Sequence, residues 1–155
     1  IRGIVQNGYL YLKNFKPDRW PSGNPETGYL ATDGSPTKTV ILNDRRARGT
    51  SEYWELNFGK RDGEELYNLA EDPWCLINLA GDPDHQDLRS TMWETLETRL
   101  KEQEDPRILG NGDMFDQFPY SNEADRNFYE RYTSGEEMKA GWVNPGDFEK
   151  EALDK

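Results

Sequence analysis

The stretch Glu64–Pro83, EELYNLAEDPWCLINLAGDP, decides the fold. Glu65–Leu69 reads as a short strand, Asp72-Pro73 as a turn, Trp74–Leu79 as a short buried linker around the only cysteine, Cys75, and Asp82-Pro83 as a second turn. From Asp84 to Gln103, Leu88, Met92, Leu96 and Leu100 recur every fourth residue with Trp93 alongside, which predicts an amphipathic helix. Asp82 and Asp84 suit its N-terminus, and Asp105-Pro106 ends it.

Upstream, IRGIVQ and YLYLKNF flank Asn7-Gly8, a pair whose residues both tolerate positive φ and so favour a type I′ hairpin. That turn sets Val5 opposite Leu10, Ile4 opposite Tyr11 and Arg2 opposite Lys13. One face then carries Val5, Leu10 and Leu12, and the other Ile4, Tyr9 and Tyr11, a pattern for a sheet covered on one face and partly on the second. The fold class is α+β: a small antiparallel sheet, made of the hairpin and the Leu66–Leu69 strand, packed against one long amphipathic helix, with long loops and short C-terminal helices.

Between hairpin and strand lies a long proline-rich loop, Lys16–Pro36. Its length asks for a function, or for anchors such as Trp20, Tyr29 and Leu30. Ser35-Pro36 then starts a helix over Thr37–Arg48, with Val40, Ile41 and Asp44 on one side and Arg45, Arg46 and Arg48 near its C-terminal end. Glu52–Phe58 fits a strand or a helical turn. Beyond the principal helix, Ile108–Tyr120 is turn-rich with buried-looking anchors. Asn122–Tyr132 reads as a second helix, Gly141–Gly146 as a turn and Asp147–Asp154 as a short terminal helix.

Net charge is −11, so the surface repels nucleic acid and anionic lipid. Hydrophobic residues make up only 34%, low for a free-standing domain, and part of the apolar surface is expected to need another domain. No run approaches the ~20 apolar residues of a membrane span. The first residue is Ile1 rather than Met, which suggests a fragment or processed chain.

The candidate reactive groups are few. Cys75 has only Trp74, Leu76 and Ile77 about it, with no nearby cation in sequence to favour a thiolate, and reads as a small buried apolar residue. His85 is the single histidine and reads as a surface residue. Asn111-Gly112-Asp113 with Asp116 lacks the spacing and terminal Glu of a Ca²⁺ loop and reads as a turn. The pairs Glu64/Glu65 and Glu136/Glu137 read as solvated. The best binding set is Lys16, Arg19, Trp20 and Asn24, cations beside an aromatic plane that suit a sulfated or carboxylated sugar. Against it stands Trp20 as a loop anchor with Arg19 at the surface.

Glu65-Leu66-Tyr67-Asn68-Leu69, Asp72-Pro73, Asn78-Leu79-Ala80 and Asp82-Pro83, after an opening hairpin and before a Leu-rich helix, resemble the C-terminal subdomain of the type I sulfatases, the alkaline-phosphatase-like group. The long loop, the helix after Ser35-Pro36 and DPRILGNGDMFDQFPY look most like the heparan N-sulfatase (sulfamidase-like) branch. The resemblance covers residues 1–120, taken as the sulfatase C-terminal subdomain, with 121–155 a helical extension of it. It implies a parent hydrolase of sulfate esters or sulfamates, with glycans as substrates. It also implies a Ca²⁺ ion and a formylglycine in an N-terminal catalytic domain, which would be this segment's partner. The implied compartment is secreted, periplasmic or lysosomal. Cys75 is followed by Leu-Ile-Asn rather than the x-Pro-x-Arg of the family nucleophile, so no catalytic or metal residue is carried over. The segment is then structural, rims the substrate pocket, lacks a cofactor of its own and is inactive alone. The rival readings are a non-enzymatic carbohydrate-binding module with Trp20 as stacking platform, or a bare interaction domain.

Overall fold

Three strands form one antiparallel sheet in the order β1-β2-β3: β1 (Arg2–Gln6), β2 (Tyr9–Lys13) and β3 (Glu64–Asn68). The computed structural model describes residues 1–27, 32–138, 141 and 143–148. Asn7 and Gly8 take positive φ at the hairpin turn, and the register pairs Arg2 with Lys13, Ile4 with Tyr11 and Val5 with Leu10, as the turn chemistry requires. β3 adds to β2 with Leu66 opposite Tyr11.

The chain packs as two compact units. Unit 1 joins Ile1–Pro17 to Asp62–Pro119, and unit 2 joins Asp18–Arg61 to Tyr120–Lys155. The loop and helices of 18–61 group with the C-terminal residues rather than with the sheet.

In unit 1, Ile4, Tyr11 and Leu66 share one sheet face and pack with Met92, Leu96 and Leu100 of α3 (Gln86–Glu102). These helix residues fall every fourth position, on one face. Trp93 leans on Tyr11 with ring centroids 6.5 Å apart, and Lys13 Nζ lies 5.2 Å from the Trp93 ring centroid. Glu64 and Glu65, expected in solvent, are both engaged. The Tyr11 hydroxyl donates to Glu64 at 2.6 Å, and the Tyr67 hydroxyl donates to a buried Glu65 at 2.9 Å. Arg2 binds the Asp105 carboxylate through two nitrogens, at 2.7 and 2.6 Å, and so ties the first strand to the end of α3.

The joint from β3 to α3 is held by the polar residues of the opening stretch. Asn78 Oδ1 accepts from the N–H groups of Leu66 and Ala80, each at 3.0 Å, while Nδ2 donates to the Glu64 carbonyl and to Asp62. Leu79 N–H donates to the Leu66 carbonyl at 2.8 Å. Asn78 and Leu79 thereby satisfy backbone groups of β3 that β2 leaves unpaired. Arg89 donates to the Ala80 carbonyl, and Asp82 accepts from Asp84 N–H at the single turn Pro83–His85 that starts the helix. His85 contacts Asp82 through Nδ1 at 2.9 Å.

The linker is not buried. Trp74, Leu76 and Ile77 are 80%, 54% and 65% exposed, and Cys75 is half-buried at φ +53°. An aspartate turn fixes this segment from inside, which leaves its apolar side chains to point away from the core. Ile77 N–H donates to the Asp72 carboxylate at 2.8 Å, and Cys75 N–H to the Asp72 carbonyl at 3.1 Å. Ile77 N–H, then that of Leu76, hold the Asp72 carboxyl below its usual range. Downstream, Ile108 packs on the core, but Leu109, Met114 and Phe118 of the turn-rich run are exposed rather than buried.

In unit 2, α1 (Pro36–Arg48) is capped by the Ser35 hydroxyl and stopped by Gly49, whose φ of +76° is a left-handed conformation that costs glycine little. The face it buries is Lys38, Leu42 and Arg45, whereas Val40 is 67% exposed. Glu52–Phe58 is helical (α2), with Trp54 buried. The predicted helix over Asn122–Tyr132 is broken. A single 3₁₀ turn, Glu123–Asp125, is followed by Asn127 at φ +54°, and only Phe128–Thr133 forms a helix (α4). Asn tolerates this left-handed conformation better than most residues, and it resets the chain direction. Pro145–Asp147 is a 3₁₀ turn and Phe148 is extended, so the predicted terminal helix does not start at Asp147; its residues 149–154 lie outside the described residues. Thr39 donates to the Asp147 carboxylate at 2.7 Å and Arg46 to the Asp147 carbonyl at 2.8 Å, which ties residues 144–147 to α1. A Cβ on Gly34 would stand 2.7 Å from Val143 Cα, so this approach needs glycine.

Candidate functional site around Trp20

The loop after β2 leaves unit 1 at Lys16 and Pro17. Lys16 N–H donates to the Asn14 side chain at 3.1 Å, and Lys16 Nζ pairs with Asp113 at 2.6 Å within unit 1. Lys16 is therefore held by a carboxylate of its own unit, while Arg19, Trp20 and Asn24 belong to unit 2.

Asn24 is also removed from the set. It is 1% exposed, its Oδ1 accepts from Glu26 N–H at 2.8 Å, and its carbonyl accepts from the Thr27 hydroxyl at 3.1 Å. This Asx-type turn uses the side chain to bend the backbone, leaving no surface for a sugar.

Trp20 is half-buried. Its ring meets Trp54 edge-on at 5.9 Å and Tyr129 at 6.0 Å, and Lys60 Nζ lies 4.9 Å from its centroid. Both aromatic contacts have the edge-to-face geometry that ring quadrupoles favour. The indole thus anchors the loop within unit 2, and the ammonium of Lys60 takes a cation–π position on it. Arg19 is exposed at the loop surface next to it.

Behind Trp20, Arg45 stacks on Trp54 with its guanidinium carbon 3.8 Å from the ring centroid, and its Nη1 is 3.8 Å from Glu26 Oε1. Glu26 and Arg45 are both buried, so loop and α1 share a desolvated ion pair laid against an indole. Lys38, equally buried, donates to the Thr32 carbonyl at 2.8 Å. Burial pulls its ammonium below the ordinary lysine value, against the attraction of Asp147, Asp33 and Glu26. The outer part of this arrangement presents Lys60 and one portion of an indole, and Arg19 precedes that indole in sequence. Such a group can receive an anionic oxygen by charge-assisted hydrogen bonds while the apolar body of a sugar lies on the ring.

Sequence reading missed Lys60, Glu26 and Arg45. Lys60 follows the Gly59 stop of α2 and is remote from Trp20 in sequence, so only packing joins them. Arg45 reads as a complement to the helix dipole, and nothing local marks it as buried.

Among the described residues no group of three or more His, Cys, Asp or Glu is placed to hold a metal ion. No described helix is long and apolar enough to cross a membrane. Compared with known protein families and with curated proteins, the chain matches none.

Proposed function

We propose that this chain is the C-terminal part of a sulfatase that hydrolyses sulfate ester or sulfamate groups on a sulfated glycan, with the catalytic machinery in an N-terminal domain outside this segment. One observation carries the reading. The residues that bear the sulfatase likeness are the ones that tie β3 to α3: Asn78 on the strand edge, Asp72 in the turn, Asp82 at the helix start. These residues hold a joint between strand and helix, which supports a structural rather than a catalytic role for the segment. Within it, Arg19 and Lys60 beside Trp20 are the groups that would meet a sulfated sugar at the pocket rim. The boxed position of Trp20 favours this over a free-standing carbohydrate-binding module, which needs an open aromatic platform.

The coding sequence upstream of Ile1 tests the parentage. A Cys/Ser-x-Pro-x-Arg motif there is expected, and its absence from the complete protein overturns the proposal. In that complete enzyme, Arg19→Ala combined with Lys60→Ala is expected to raise KM for a sulfated glycan while kcat holds. An unchanged KM removes the rim role and leaves the parentage standing.

A further inference from the structure

Residues 62–88 contain eight carboxylates and no lysine or arginine. In the middle of this acidic run stand Trp74, Leu76 and Ile77, the largest of them 80% exposed. They are not loosely held. Asp72 N–H donates to the Asn68 carbonyl at 2.7 Å, the Asp72 carboxylate accepts from Ile77 N–H, and the Leu79–Leu66 backbone bond fixes the far end. Three apolar side chains thus project from a loop that is ordered before anything binds it, which removes much of the entropy cost of association. An exposed tryptophan flanked by aliphatics has the composition of an interface hot spot.

The surrounding charge selects the occupant. Glu71, Asp84 and Asp87 are exposed on either side of the loop in sequence. A second copy would bring the same carboxylates against these, and an anionic membrane would repel them. We infer that the Trp74–Ile77 loop is a docking knob for a protein partner that offers an apolar socket rimmed by lysine and arginine. The knob belongs to unit 1 and the Trp20 residues to unit 2, so a negative result here leaves the proposed function untouched.

Three synthetic peptides of equal length test the inference by calorimetry on the 155-residue chain: an amphipathic Leu/Lys helix, its Leu/Glu counterpart, and a Ser/Lys peptide with no apolar face. The Leu/Lys peptide is expected to bind roughly tenfold or more tightly than either control. Trp74→Ser with Ile77→Ser, both exposed positions, should abolish that difference at an unchanged far-ultraviolet circular dichroism spectrum. Glu71→Lys, which leaves the apolar residues in place, should weaken Leu/Lys binding by itself. Equal binding of the Leu/Lys and Leu/Glu peptides, or wild-type affinity in the serine variant, overturns the inference. So does self-association that the serine variant abolishes, which would make the occupant a second copy. Binding of wild type to neutral phosphatidylcholine vesicles, lost in the serine variant, would make it a lipid surface and equally overturn it.

Discussion

The two units solve the problem of an interior in opposite ways. Unit 1 closes on hydrocarbon: Ile4, Tyr11 and Leu66 from the sheet meet Met92, Leu96 and Leu100 from α3. Unit 2 buries Leu42, Trp54 and Phe128, and around them Asn24, Glu26, Lys38, Arg45 and Asp147. Of nine buried polar or charged residues among the described ones, eight lie in unit 2, so its interior must be held by pairing as well as by area. A hydrocarbon core needs no directional partner and tolerates exchange of one aliphatic for another. A buried ion pair is conditional: each charge is tolerable only while its partner stays. Of the eleven buried hydrophobic residues among the described ones, eight lie in unit 1, and shared polar contacts organise unit 2.

The sharpest way to break this contrast is Arg45→Ala. It removes the guanidinium that faces buried Glu26, leaving the attraction of Lys38, and should cost up to about 3–5 kcal/mol in urea unfolding. Combining Arg45→Met with Glu26→Gln should recover a large share, because the desolvated charges go together. A loss under about 1 kcal/mol for Arg45→Ala would mean that pairing does not hold unit 2. In unit 1, Leu96→Ala should cost about 2–5 kcal/mol through lost contacts and the cavity left behind. Hydrogen exchange should place that loss in the sheet and α3. Asn78→Ala should cost about 1–3 kcal/mol, since it strips Leu66 N–H and Ala80 N–H of their acceptor. It should also raise exchange at the outer edge of β3, while an effect confined to the Trp74 loop would deny Asn78 its role at the strand.

The smallest effects are in pH. Burial pushes the Glu64 carboxyl up, but the Tyr11 hydroxyl, Lys13 and Arg89 outweigh it and hold it below the ordinary value of 4.5. Its contribution is present above pH 4.5 and lost as pH falls from there through the lower folded value, and Glu64→Gln should flatten that loss. Lys38 in unit 2 runs the other way along the scale. Its folded value lies below 10.5, the unfolded chain holds the proton more tightly, and stability should rise with pH in the window leading up to 10.5. Lys38→Met should remove that rise. A common pH profile for both units would dissolve the distinction between them.

The sheet and long helix of unit 1 were legible because their signals are local and periodic, whereas the exposure of the Trp74–Ile77 loop and the engagement of Glu64 and Glu65 were not. Asn7-Gly8 dictates a turn, the turn dictates register, and the four-residue recurrence of Leu88, Met92, Leu96 and Leu100 dictates a helix face. Ser35, Pro36 and Gly49 likewise bound α1 by local chemistry alone. The candidate site was legible only in part. Trp20 anchors the loop, but Asn24 is spent on its own turn and Lys16 is engaged by Asp113. Lys60 reaches Trp20 from the end of another helix.

By itself, then, the sequence determined the sheet, its register, the long helix and the capped start of α1, since each follows from backbone sterics and the spacing of apolar residues over a few turns. Tertiary structure alone decided which face of α1 is buried, because the charges on that face are admissible only beside Glu26, Asp147 and Trp54, which lie far along the chain. It decided the break at Asn127, where packing of Phe128 overrode helix continuity. It also decided that Trp74, Leu76 and Ile77 face outward. Hydrophobicity predicts them inside, but the hydrogen bonds of Asp72 and Asn78 turn the backbone so that their side chains cannot reach the core.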